Sequence, residues 1–170
     1  MMISKKVCML GSFAVGKTSL IRRFIVSIFE EKYQTSVGVK VDKKQITIDD
    51  KQLNMMLWDL AGEDAFNTLQ QNFLRGSSGF ILVADGTRQS SLEKSLELYQ
   101  RIRPDYPEAA FVLVLNKVDL QESWQVSDEQ LRALRADGWQ IFLTSAKTGE
   151  QVELLFEQLG RLMLHQEIAT

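Results

Sequence analysis

The run Gly11-Ser12-Phe13-Ala14-Val15-Gly16-Lys17-Thr18 fits the pattern G-x-x-x-x-G-K-[ST]. Glycines at its ends let the backbone curl so that successive N–H groups point inward, a geometry suited to phosphate oxygens. A lysine and a hydroxyl residue at the end of the run add the remaining chemistry. Lys17 can reach terminal phosphates, and the Thr18 hydroxyl can sit on a Mg2+ ion. The run predicts a phosphate cradle formed by Ala14, Val15, Gly16, Lys17, Thr18 and the following Ser19.

A phosphate cradle does not choose between ATP and GTP. Asn116-Lys117-Val118-Asp119 bears on that choice, because it directly follows a short apolar run. A carboxylate at Asp119 can accept from the ring N–H and the exocyclic amino group of guanine. Adenine offers no such donor pair, so the carboxylate would lose its partners. Asn116 can tie this loop to the phosphate cradle, and the stem of Lys117 can lie over a base plane. Ser145-Ala146-Lys147 follows another short strand pattern and can present backbone N–H groups to the guanine carbonyl oxygen. Asp59 ends a third strand pattern and suits a Mg2+ partner acting through water. Gly62, three residues on, would set a bare backbone N–H against a γ-phosphate.

These residues need elements to hold them. Residues 6–10 read as a short buried strand, and 18–26 carry Leu20, Ile21, Phe24 and Ile25 at helical spacing. A helix starting at the cradle would turn its N–H groups and its dipole toward an anion. Residues 37–49 alternate in places, Asp49-Asp50 reads as a hairpin turn, and 53–58 as the returning strand. Residues 80–84 and 111–115 are continuous apolar runs, as expected of parallel strands covered on both faces. Helical patterns over 90–102, 128–135 and 152–164, with a short strand at 141–143, complete an alternating order. The expectation is an α/β three-layer P-loop NTPase fold. Its sheet is mostly parallel and six-stranded, with one antiparallel edge strand and about five helices. The ligand belongs at the carboxyl ends of the strands.

Composition agrees with a single domain over residues 1–170 and narrows its partners. Apolar residues make up 45% of the chain and charged ones 25%, ordinary values for a globular protein. A net charge of −2 argues against a mainly electrostatic nucleic-acid binder. Cys8 is the sole cysteine and His165 the sole histidine, so no internal disulfide and no histidine-based metal site is expected. A reducing compartment, and hence a cytoplasmic location, follows as an expectation. No apolar run approaches the length of a membrane span.

The ordered set of motifs, with Trp58-Asp59-Leu60-Ala61-Gly62 between the first and the guanine pair, resembles the small GTPases of the Ras superfamily. The wording is most similar to the Rab branch. That resemblance implies a GTP-binding protein that switches between GTP and GDP forms, with Mg2+ as cofactor. Tyr33-Gln34-Thr35-Ser36-Val37-Gly38-Val39 resembles the first Rab switch, Y-x-x-T-I-G-V. In this register Ser36 takes the place of the Mg2+-binding threonine, with Thr35 one residue early as the alternative. Phe29 would pack against the guanine edge, or serve as a core aromatic at the end of the first helix. Lys17 and Gly62 would act on the γ-phosphate. Effectors and regulators would read the segments around residues 30–41 and 60–75, where Trp58, Phe66, Leu69 and Phe73 offer apolar area.

Three departures from the family pattern stand out. The residue after Gly62 is Glu63, where the family usually has the glutamine that orients the attacking water. A carboxylate can accept from that water but cannot donate to the transition state. Phe13 stands where a small residue is usual, in space that a partner's arginine finger would need. The plainer alternative has Phe13 pointing outward and Glu63 neutral in effect. Third, no cysteine lies near Thr170 and residue 2 is Met, so neither prenylation nor myristoylation is signalled. A prokaryotic member without a lipid anchor, or a truncated chain, would look this way. The expectation is intact nucleotide binding with slow or atypical hydrolysis. A pseudo-GTPase scaffold that holds nucleotide without turnover is the second reading, and a P-loop ATPase or kinase the third.

Overall fold

The structure, a computed structural model, describes residues 2–25, 32–34, 39–60 and 71–168. Strand β1 spans Met2–Leu10 and helix α1 Lys17–Phe24. Strands β2 (Lys32–Gln34), β3 (Val39–Ile48) and β4 (Lys51–Leu60) follow, then β5 (Ser77–Asp85) and helix α2 (Gln89–Ile102). Strand β6 (Ala110–Asn116), helix α3 (Asp128–Ala136), strand β7 (Ile141–Leu143) and helix α4 (Val152–Ile168) complete the order. The strands form one sheet in the order β2-β3-β4-β1-β5-β6-β7.

The expected six-strand sheet is present, with β3 antiparallel to β4 and every pairing from β4 through β1 and β5 to β7 parallel. One detail differs in extent. The three-residue β2 pairs antiparallel to the outer side of β3, so β3 is not itself the edge. Four α-helices are found among the described residues, together with three single-turn 3-10 segments.

The continuous apolar runs have a direct structural cause. Along β1, Val7 and Met9 face one side of the sheet while Cys8 and Leu10 face the other. The same alternation divides Ile81 and Val83 from Phe80, Leu82 and Ala84 in β5. Both faces are covered, so every residue of the run must be apolar. On the first face α1 and α4 meet, and Phe24 stacks on Phe156 with ring centroids 3.9 Å apart. Each such fully buried side chain stabilises the fold by roughly 1.5–3 kcal/mol. Helix α4 approaches β3 closely at Gly160, where a Cβ would lie 2.4 Å from Ile48 Cδ1. On the second face Leu92, Leu98 and Ile102 of α2 and Leu131 of α3 cover the sheet.

The β3–β4 hairpin turns at Asp49 and Asp50, whose φ values are +47° and +66°. Two consecutive left-handed residues match the twist of the flanking strands, and aspartate tolerates that conformation better than most side chains. A two-residue turn then sets the pairing of the whole ladder, from Ile48 opposite Lys51 to Val39 opposite Leu60.

Candidate functional site

The carboxyl ends of β1, β4, β5, β6 and β7 lie along one rim of the sheet, and the motif residues follow directly from them. The phosphate loop leaves β1 at Leu10, and its backbone has no room for side chains at the glycines. A Cβ on Gly11 would meet Val83 O at 2.3 Å, and one on Gly16 would meet Asn116 Nδ2 at 2.2 Å. Ala14 sits at φ +63° and Gly16 at φ +102°. Left-handed residues in such a loop cost free energy that the surrounding contacts must offset, and they turn backbone N–H groups toward the cleft.

A cavity of about 540 Å³ opens over this loop. Loop residues from Ser12 to Ser19 line it, with Lys40, Asp59 and Lys117 completing the wall. Lys17 is buried, and its ammonium donates to the carbonyls of Gly11 (3.2 Å) and Leu60 (2.7 Å). Burial lowers the pKa of this ammonium, and the nearby Asp59 carboxylate partly offsets the effect. The Thr18 hydroxyl donates to Asp59 Oδ2 at 2.5 Å. A hydroxyl and a carboxylate thus converge at the mouth of the phosphate loop. Two hard oxygens are what Mg2+ takes from a protein when phosphates and waters supply the rest. No cluster of three or more His, Cys, Asp or Glu side chains able to cage a metal occurs among the described residues. The donor set therefore fits a metal shared with a phosphate ligand.

Asn116 joins three loops. Its Nδ2 donates to Val15 O in the phosphate loop at 3.0 Å. Its Oδ1 accepts from the Thr144 hydroxyl at 3.1 Å and from Ala146 N at 3.2 Å. Ser145, fully buried, donates its hydroxyl to Asp119 Oδ1 at 2.7 Å and accepts from Thr148 N at 3.0 Å. Asp119 itself is exposed, as is Lys147. Lys117, at φ +70°, turns the chain back over the phosphate loop, and its ammonium donates to Ala14 O at 3.1 Å. Of the residues expected to read a base, Asn116 and Lys117 are therefore bonded directly to the wall of the phosphate cavity.

Phe13 is 74% exposed, on the cavity rim rather than inside it. Ser36, Thr35, Phe29, Gly62 and Glu63, like Phe66 and Leu69, lie outside the described residues. Trp58 and Phe73, which are described, lie 6.1 Å apart between ring centroids.

Two residues that the motifs did not single out stand on this rim. Asp85, at the end of β5, is buried to 2% exposure and pairs with Lys117 at 2.9 Å and with Arg88 at 3.3 Å. Arg88 in turn donates to Phe13 O at 2.7 Å. Burial alone would raise the Asp85 carboxyl, but hydrogen bonds from Thr87 and Lys117 outweigh it and hold the group below its ordinary value. The available sequence signal was a carboxylate closing an apolar run, the same signal that marked Asp59. Lys40 is the second such residue, facing Asp59 across the β3–β4 ladder.

Residues 6–165 match the Ras family. The chain is 36% identical over 173 aligned residues to the Ypt/Rab-type GTPase YPT7 of Saccharomyces cerevisiae, covering 96% of this chain and 83% of that protein. It is 38% identical to the Ras-related protein RABC2a of Arabidopsis thaliana over 93% of this chain and 77% of that one. The Ypt/Rab-type GTPase Rab7 of Gibberella zeae is 34% identical, with 95% and 83% covered. With a family match across nearly its whole length and relatives of one kind above 30% identity, the chain belongs to the Ras family and to its Rab branch.

Proposed function

We propose that this chain is one GTP-binding unit that acts as a GTP/GDP switch and hydrolyses GTP slowly or atypically. Membership in the Ras family supports the switch and the GTPase activity in general. The observation that carries the guanine reading is the pair of contacts behind Asp119. Ser145 holds one carboxylate oxygen at 2.7 Å, and Asn116 bonds the neighbouring loops to the phosphate cavity at Val15. A carboxylate so oriented can present its second oxygen to the two guanine donors, with Ala146 N–H and Lys147 beside the guanine carbonyl. Lys117 would cover the base, and Phe29 its edge.

In this reading Ala14, Val15, Gly16, Lys17, Thr18 and Ser19 hold the phosphates. Lys17 would exchange its two carbonyl partners for phosphate oxygens. Thr18, Ser36 and Asp59 would hold Mg2+, which when bound neutralises charge on the β- and γ-phosphates. Gly62 would donate its N–H to the γ-phosphate, and its release after hydrolysis would free the segments around residues 30–41 and 60–75 for exchange of protein partners. Glu63 would accept from the attacking water without donating to the transition state. Phe13 on the rim would obstruct a partner's arginine, whose contribution in such enzymes is on the order of 10³–10⁵ in rate. Among the described residues no helix is long and apolar enough to cross a membrane. A buried free thiol at Cys8 suits the cytoplasmic setting we propose.

Single-turnover hydrolysis by the purified chain, compared with Glu63→Gln and Phe13→Gly, tests the turnover claim. Slow wild-type turnover raised by Glu63→Gln is expected. Fast wild-type turnover that neither change improves would refute it, and no phosphate release above buffer would favour the nucleotide-holding scaffold. Displacement of bound GDP by ATP at comparable concentration would contradict the role given to Asp119.

A further inference from the structure

Among the described residues, the wall of the phosphate cavity carries three lysines and one carboxylate, and two of the three lysines are already engaged. Lys17 bonds two carbonyls, and Lys117 bonds Asp85 and Ala14 O. Lys40 is different. It lies on β3 directly opposite Asp59 and half-buried, and its ammonium makes no hydrogen bond or ion pair among the described residues. Directly opposed residues on an antiparallel pair share a face, with Cβ atoms about 4.5–5.5 Å apart. Lys40 therefore projects on the same face as the Asp59 carboxylate that receives the Thr18 hydroxyl.

We propose that Lys40 is a built-in counter-charge at the phosphate and metal end of the site, which makes nucleotide retention unusually independent of Mg2+. The inference rests on the guanine-nucleotide reading above. An ammonium on the cavity face shared with Asp59 acts in two ways that reinforce each other. It attracts the β- and γ-phosphates when no metal is present, and it competes with a divalent cation for the field of Asp59. Both effects shrink the difference in nucleotide affinity between metal-replete and metal-free conditions. A unit charge about 6 Å from a doubly charged centre changes binding by about tenfold even at a dielectric near 80, that of bulk water, and by more at a half-buried site.

The test measures dissociation of fluorescent GDP from the full chain, in excess Mg2+ and in EDTA, for wild type, Lys40→Gln and Lys40→Arg. The ratio of the EDTA rate to the Mg2+ rate is expected to rise at least about tenfold in Lys40→Gln and to return toward wild type in Lys40→Arg. A merely structural lysine would alter both rates together and leave the ratio in place. An unchanged ratio in Lys40→Gln overturns the inference while leaving the nucleotide reading intact. Failure of the wild-type chain to retain GDP under either condition overturns both.

Discussion

Asn116→Ala is the most informative single change at this site. Three hydrogen bonds vanish together: to Val15 O at 3.0 Å, from Thr144 Oγ1 at 3.1 Å and from Ala146 N at 3.2 Å. Asn116 is 2% exposed, and Val15 and Thr144 are fully buried, so water reaches the orphaned groups poorly. Each lost bond removes about 1 kcal/mol net, and each buried group left without a partner costs about 1–3 kcal/mol. A water entering the space left by the amide would serve some of them, which brings the expected loss to about 3–5 kcal/mol. Against a total stability of about 5–15 kcal/mol for a domain this is a large fraction. Urea unfolding of the nucleotide-free chain, read by far-UV circular dichroism, measures it. Thr144→Val removes only one of the three bonds and should cost about 1 kcal/mol. The double variant should lose little more than Asn116→Ala alone, because the shared bond is already gone. A loss below about 1 kcal/mol for Asn116→Ala, or strict additivity of the pair, would refute the view of Asn116 as the joint between three loops.

Two titratable groups give further tests. The Asp85 carboxyl titrates below its ordinary value of 3.8 in the folded chain, so its contribution is present above that pH and is lost as pH falls through the folded pKa. Asp85→Asn should flatten the acid limb of a stability-versus-pH curve and speed nucleotide release, since Lys117 and Arg88 lose their anchor. An unchanged acid limb would contradict the ion-pair assignment. Burial pushes the Cys8 thiol up to about 11, against an opposing hydrogen bond with Ser77 and the charge of Lys6. The native thiol should therefore resist iodoacetamide at pH 8 and react only on unfolding, and stability should fall as pH rises from 9.0 toward about 11. Rapid alkylation of the folded chain at pH 8 would count against the buried position.

Much of this protein was legible because its motifs are local and its strands are short. The phosphate loop, the pair Asn116 and Asp119, and the strand-ending Asp59 each announce themselves by residue type next to an apolar run. The parallel strands were readable because burial on both faces leaves no polar alternation to confuse with a loop. The first strand was underestimated at its start, since residues 2–5 belong to a β1 that is only partly covered there. The three-residue β2 carried no recognisable pattern at all. Asp85 was missed because one carboxylate after an apolar run is an ambiguous signal until its partners Lys117 and Arg88 are seen around it.

By itself the sequence determined the ligand class, the sheet-and-helix order and the family, because these depend on residues close together or on ordered motifs. It also held the register of the hairpin in the two-residue turn at Asp49 and Asp50, which sets Lys40 against Asp59. Only the tertiary structure decided which charges meet. Strands distant along the chain end on one rim, so Asp85, Lys117, Arg88 and the phosphate loop become neighbours across separations of up to 103 positions. Electrostatics acts over ångströms in space and is blind to distance along the chain, so the charge balance of this cavity could be read only once the sheet had brought those ends together.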